Sequence, residues 1–222
     1  MLFVLPFNEE FRQLTPRKFV EDILVKTIAI KELIVGYDFK FGQGGKGNTD
    51  LLTQLSTEYG FFFEVVEAIT FNGEKIGSNR IRKLIMDGDT KKAESFLGRP
   101  YAIEGMVTHG DGRGKGLGFP TVNLKTDYEL IPKDGVYVSK IEINGKMFPS
   151  VTNIGYNPTF GVNRRSIETH ILDYNGDLYG SYITLYFYEM IRGEIKFESI
   201  DALKERIGAD IDIARKYFNN KR

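Results

Sequence analysis

The chain has no cysteine among its 222 residues. That excludes disulfides, a thiolate nucleophile and any Cys-ligated metal, and it permits a reducing cytoplasm. Net charge is also missing, because thirty basic and thirty acidic residues cancel. No general nucleic-acid or membrane surface is expected from such a balance. No apolar run approaches the roughly 20 residues of a transmembrane helix. The start, MLFVLPFNEE, has no basic n-region and meets Pro6 and two acids after few apolar residues. It does not read as a signal peptide. Histidine is scarce, with only His109 and His170. They are open to two readings: a metal site built from different strands, or hydrogen-bonded structural groups.

What is present fits a globular protein. Hydrophobic residues make up 41%, and the length suits one large or two small domains, each able to bury a core. Residues 1–98 read as α/β. Thr15-Pro16 opens a helix over 17–26, with proline at the first helical position. Residues 28–35 end in a buried strand, 50–59 form a helix closed near Gly60, and 61–66 form the next strand. Ser78 and Asp89 are read as caps of two further helices, stopped at Gly88 and Gly98. Alternating strands and helices predict a parallel sheet. After Arg99-Pro100 the pattern changes. Strands are predicted at 101–108, 119–124, 135–143, 146–154, 166–173 and 181–189, with turns at Asn144-Gly145 and Asn175-Gly176. That many short antiparallel strands predict a small closed barrel. Ser199 caps a last helix whose Ile200, Leu203, Ile207, Ile211, Ala214 and Phe218 recur at helical spacing and are expected to lie on the barrel.

The segment HGDGRGKGLGFPTVNL, residues 109–124, carries the most chemistry. Glycine stands at every second position from Gly110 to Gly118, with Arg113 and Lys115 between. Glycines let backbone N–H groups approach a ligand, and two cations suit a polyphosphate. Thr121 and Asn123 are two apart, so on a strand their oxygens share one side and suit Mg²⁺ carried in with ATP. From the residues alone a mobile glycine hairpin loop is an equal reading. The spacing is not that of a Walker A loop. A second glycine pattern, Gly42, Gly44 and Gly47, spells G-x-G-x-x-G. Six loop residues separate it from Val35, so the tight turn of a dinucleotide site is not expected.

The segment is similar to the ATP loop and Pro-Thr-Ala-Asn motif of riboflavin kinases. More closely, it resembles the kinase module of bacterial bifunctional riboflavin kinase/FMN adenylyltransferases. Further blocks match in order: VGYDFKFG (35–42), IGSNRIRKLIMDGD (76–89), LGRPYAIEGMV (97–107), PKDGVY (132–137), NIGYNPTFG (153–161), IETHILDYNGDLYG (167–180) and IRGEIKFESIDALK (191–204). The resemblance implies an α/β plus all-β fold. A partial Rossmann-like nucleotidyltransferase domain, 1–98, precedes a riboflavin kinase domain, 99–222. The latter is a six-stranded antiparallel Greek-key β-barrel with a C-terminal helix.

The implied activity is ATP-dependent phosphorylation of riboflavin to FMN in the cytoplasm, with Mg²⁺ as cofactor and riboflavin, FMN, ATP and ADP as partners. Glu168 falls at the place of the family's catalytic base. On a strand Glu168 and His170 share one face and Ile167, Thr169 and Ile171 the other. A surface strand glutamate is the alternative. His170 is near enough to Glu168 to tune its pKa. Gly110, Gly112, Arg113 and Lys115 match the phosphate loop, and Thr121 and Asn123 the Mg-ATP pair, with Val122 replacing the usual alanine. Phe119 contacts nucleotide or flavin, or packs in the core. Arg192, Glu194 and Phe197 match a segment beside the flavin, where Arg192 meets the product phosphate or is a plain exposed arginine.

The family's adenylyltransferase domain opens with a His-x-Gly-His motif, and neither histidine here lies in one. Aligned by the blocks, the chain starts well inside that domain. Ser78 and Arg82 match a second motif of that site, while Gly77 and Asn79 depart from it. Little or no FAD synthesis is expected, and an open sheet edge is expected to expose Leu33 to Val35. Two alternatives are carried: a complete bifunctional enzyme making FAD from FMN and ATP, if residues upstream of Met1 exist, and a non-catalytic flavin-binding regulator. Retention of Thr121, Asn123 and Glu168 argues against the latter.

Overall fold

A computed structural model describes residues 2–110, 112–159 and 162–220, without the side chains of 113, 157–159 and 162–164. The chain divides into two compact units, Met1–Lys75 and Ile76–Arg222. Among the described residues, no helix is long and apolar enough to cross a membrane.

The first unit opens with α1 (Glu9–Arg12), capped by Asn8, and α2 (Pro16–Lys18), capped by Thr15 with proline at its start. The chain then widens into a π-helix over Phe19–Thr27, where an α-helix was predicted to run on. The i→i+5 bonding shows in Ile28 N–H donating to the Ile23 carbonyl at 2.9 Å. Strand β1 (Glu32–Gly36) pairs parallel with β2 (Phe62–Val66) across helix α3 (Thr49–Tyr59). Asn48 caps α3, and Gly60 ends it at φ 73°. Val20, Leu24, Val35, Leu52 and Leu55 form the core. The sheet has one covered face. Val35 is buried and Leu33 half-buried, but Ile34 and Phe62 are exposed. The exposure expected over Leu33 to Val35 thus falls on Ile34. Hairpin strands β3 (Thr70–Phe71) and β4 (Glu74–Lys75) turn at Asn72-Gly73, both at positive φ.

The G-x-G-x-x-G glycines serve packing here. A Cβ on Gly42 would lie 2.7 Å from Pro16 Cα, and one on Gly47 would strike the Phe41 ring.

The second unit begins with α4 (Ser78–Asp87) and α5 (Thr90–Leu97). Asp89 caps α5 as predicted, accepting from Lys92 N–H at 3.1 Å. Ser78 does not cap α4: Gly77 holds that position, without a side-chain bond, and Ser78 is the first helical residue. Both helices belong with the barrel. The Thr90 hydroxyl donates to the Tyr188 carbonyl at 3.1 Å.

Strands β5 (Tyr101–Thr108), β6 (Val122–Lys125), β7 (Gly135–Ile143), β8 (Lys146–Thr159), β9 (Val162–Ile171) and β10 (Tyr182–Arg192) close a barrel in the order β10-β5-β6-β9-β8-β7. Every pairing is antiparallel. Between β5 and β6 lies a short helix, α6 (Arg113–Leu117), bracketed by Gly112 and Gly118 at positive φ. Asn144-Gly145 turns as predicted. The turn expected at Asn175-Gly176 is replaced by positive φ at Asp173 and Gly180.

Alternation along each strand sets the two faces. Ile103, Val107, Leu124, Tyr137, Ile141 and Ile167 fill the interior. Val136, Val138 and Val151 face outward and are covered by α7 (Ile200–Asn219) through Ile211, Ala214 and Phe218. Ser199 caps α7 by accepting from Ala202 N–H. Ile200, expected on the barrel, is exposed.

Candidate active site

The outward face of β9–β8–β7, the residues just before β6 and helix α7 enclose a cavity of about 330 Å³, within the size range of ligand pockets. Its barrel wall carries Thr121, Val136, Val151, Asn153, Glu168 and His170. Gly114, Leu117 and Phe119 line it from the glycine-rich connection, and Arg192, Glu194, Ile195 and Phe197 from the segment after β10. Leu203, Ile207 and Asp210 line it from α7.

Register places the central pair. Asn123 stands directly opposite Glu168, and Asn153 opposes Glu168 from the other side. Leu124 and Ile167 point into the barrel core, so alternation turns Asn123 and Glu168 outward together. Thr121 and Glu168 line the main cavity. Asn123 lines a neighbouring cleft with Thr108, Arg165 and Ser166.

The glycine segment folds closely over these residues. A Cβ on Gly110 would overlap the Asn123 amide, and one on Gly114 would lie 2.5 Å from the Phe119 carbonyl and 3.0 Å from Thr121 Oγ1. Both glycines are therefore required for approach, whereas Gly112 has open space and a φ of 69°. Lys115 lines an adjoining cleft with Thr121, Asn175, Asp177 and Tyr179. The Arg113 side chain lies outside the described residues. Phe119 is half-buried on the cavity wall, its ring 6.0 Å from His170 in an edge-on contact. Of the two readings kept for it, cavity contact is the one its position supports.

Arg192 reaches the cavity but its fork is engaged. Its Nη2 donates to Asp210 Oδ2 at 2.8 Å and its Nε to the same oxygen at 3.0 Å. Asp210 is 2% exposed and also has Arg206 Nε at 3.2 Å. Phe197 lies 5.7 Å below the Arg192 guanidinium. Sequence reasoning missed Asp210. Its signal was available, since it is an acid three residues after Ile207, on the apolar stripe of α7.

Ser78 and Arg82 are exposed on α4, away from this cavity, and Arg82 Nη1 donates to Asn79. The two histidines have different partners. His170 Nδ1 lies 2.8 Å from the Pro120 carbonyl, and His109 stacks on Tyr179 at 3.9 Å. Among the described residues, no group of three or more His, Asp or Glu could hold a metal by itself. The hard oxygens of Thr121 and Asn123 fit an ion that brings phosphate oxygens with it, as Mg²⁺ does.

A family model for riboflavin kinase matches residues 97–218, and one for FAD synthetase matches residues 1–80. The chain belongs to the riboflavin kinase/FMN adenylyltransferase family. It is 39% identical over 228 residues to the bifunctional riboflavin kinase/FMN adenylyltransferase of Bacillus subtilis, spanning 100% of this chain and 71% of that one. Against the bifunctional enzyme of Escherichia coli K12 it is 40% identical over 213 residues, 96% of this chain and 68% of that one. The fold is similar to a crystal structure of a protein named as a macrolide-efflux protein of Streptococcus pneumoniae. The TM-score is 0.84 at 33% identity, covering 95% of this chain and 68% of the other. The barrel order and C-terminal helix agree with the fold that the family resemblance implied.

Proposed function

We propose that the chain transfers the γ-phosphoryl group of MgATP to the primary alcohol of riboflavin, giving FMN and ADP. The observation that carries this reading is the register pair Asn123–Glu168, beside Thr121 on the outward barrel face. It brings a carboxylate together with two neutral oxygen ligands.

Phosphoryl transfer needs its partners aligned, phosphate charge neutralised and a proton accepted from the alcohol. Glu168 accepts that proton as the alcohol oxygen attacks phosphorus and the bond to ADP breaks. Thr121 and Asn123 would hold Mg²⁺, which would supply positive charge to offset that of the phosphates. Gly110, Gly112 and Gly114 let backbone N–H groups approach the phosphates, and Lys115 and Arg113 add charge. The flavin ring lies against Val136, Val151, Leu203, Ile207 and Phe119, with Arg192 and Glu194 at its polar edge.

We assign the kinase to residues 99–222 and the adenylyltransferase portion, including Ser78 and Arg82, to 1–98. α4 and α5 are thus counted with the first portion while packing on the barrel. The bifunctional reading is favoured by the FAD synthetase match on residues 1–80. The 222 residues hold no His-x-Gly-His, so FMN with little or no FAD is the proposed output. A cytoplasmic setting accords with an ATP-consuming chain without cysteine. The test is incubation of the purified chain with riboflavin and MgATP, followed by chromatographic separation of riboflavin, FMN and FAD. FMN is expected; unchanged riboflavin contradicts the proposal, and abundant FAD selects the bifunctional reading.

A further inference from the structure

The β6–β9 ladder holds two register pairs, Val122 with Thr169 and Asn123 with Glu168. Thr121 lies one residue beyond its end. In register it faces His170, but there the backbone ladder has stopped. Pro120, just before it, has no N–H to contribute to any ladder. The metal-side threonine thus sits where backbone pairing no longer fixes it.

A side chain takes over at that point. His170 Nδ1 lies 2.8 Å from the Pro120 carbonyl oxygen. A carbonyl only accepts, so Nδ1 carries the proton and the neutral ring is the Nδ1–H tautomer. The ring edge meets Phe119 at 6.0 Å. Phe119 N–H in turn donates to the Gly114 carbonyl at 2.8 Å, which ties the same point to the glycine segment. One imidazole on β9 therefore holds residues 119 and 120, and through them Thr121, against the strand that carries Glu168.

We propose that His170 is a positioning residue: its Nδ1–H clamps Pro120 and sets the direction of Thr121 for MgATP. The inference rests on the kinase reading above. It separates His170 from proton transfer, which belongs to Glu168, and it distinguishes the two ring nitrogens. Nδ1 performs the task and Nε2 does not.

The test uses that distinction. Asparagine places an N–H donor near Nδ1, and glutamine places one near Nε2. His170→Asn is expected to keep the ATP concentration for half-saturation within about twofold of wild type. His170→Gln is expected to raise it about 3- to 10-fold, the range of one lost neutral hydrogen bond. Riboflavin half-saturation is expected to move less than that for ATP in His170→Gln, because Phe119 is only one of the residues against the flavin. Amide hydrogen exchange across residues 119–123 of the free protein is expected to speed up in His170→Gln and not in His170→Asn. Should the glutamine variant fail to fold, His170→Ala serves the same arm. Rescue by glutamine instead of asparagine overturns the proposal. So do equal effects of the two variants, no effect of either, or a parallel shift in riboflavin half-saturation. If wild type forms no FMN, the kinase reading fails, and the exchange measurement still decides whether the clamp exists.

Discussion

Replacing Asp210 by alanine removes the carboxylate that sits between two guanidinium groups under the cavity. Asp210 is 2% exposed and Arg192 13%. The pair is therefore largely out of water, and screening gives little relief. Arg206 is 37% exposed and can turn to solvent, so its contact contributes little. Arg192 has no such exit, because Phe197 lies against its guanidinium. Removing one partner of a buried ion pair costs about 3–5 kcal/mol, mostly from the charge left unpaired. For a chain of this size each kcal/mol moves Tm by about 2–4 °C, so the variant is expected to melt on the order of 10 °C lower. Asp210→Asn keeps an acceptor and is expected to lose about 1–3 kcal/mol. The double change Asp210→Leu with Arg192→Met removes both charges and is expected to regain most of the stability, while riboflavin saturation stays impaired. Calorimetry and riboflavin titration of the three proteins provide the assay. A Tm shift under about 2 °C for Asp210→Ala would refute the reasoning, as would a double variant no more stable than the single one.

Other expectations follow from the same geometry. Thr121→Val and Asn123→Leu each delete an oxygen ligand and are expected to raise the ATP concentration for half-saturation more than that for riboflavin, read by titration at fixed Mg²⁺. Gly114→Ala places a methyl group 2.5 Å from the Phe119 carbonyl and is expected to impair ATP use while the barrel still folds, checked by circular dichroism and kinetics. Burial pushes the Tyr101 phenol up to about 12, and burial also raises that of Tyr137. Their folded values exceed the unfolded value near 10, so the stability from keeping them neutral is complete below that pH and is lost as pH rises toward 12. Denaturant unfolding at pH 9 and 11 measures the loss; equal stability at both contradicts it. The parallel sheet with Ile34 and Phe62 exposed is expected to exchange amide protons faster than the barrel strands, as hydrogen exchange would show.

The barrel was legible because alternation is a local signal. Strands over 101–108 and 135–143 were predicted to the residue, since Ile103, Gly105 and Val107, then Tyr137, Ser139 and Ile141, mark one face. α6 was not legible, because four of the seven residues 112–118 are glycine, which disfavours helix; within it Gly114 packs closely on the Phe119 carbonyl and Thr121. The Asn72-Gly73 hairpin carried a signal that went unread. In the site, parity along a strand placed Thr121 with Asn123 and Glu168 with His170. The pairing of Asn123 with Glu168 is a register fact, and register is set across strands far apart in sequence. Asn153 joins them by the same kind of register, opposite Glu168, and Asp210 reaches the cavity where α7 packs on the barrel. The bond from His170 to Pro120 likewise spans 50 residues.

The central claim is that the outward barrel face is a phosphoryl-transfer site with Glu168 as its base. Its most direct measurement compares FMN formation by Glu168→Gln and wild type at saturating riboflavin and MgATP, with riboflavin binding measured in parallel. Glutamine keeps the size of the side chain and cannot take the proton. Turnover is predicted to fall on the order of 10²-fold or more with binding retained. Turnover near that of wild type would remove Glu168 from the chemistry and contradict the account.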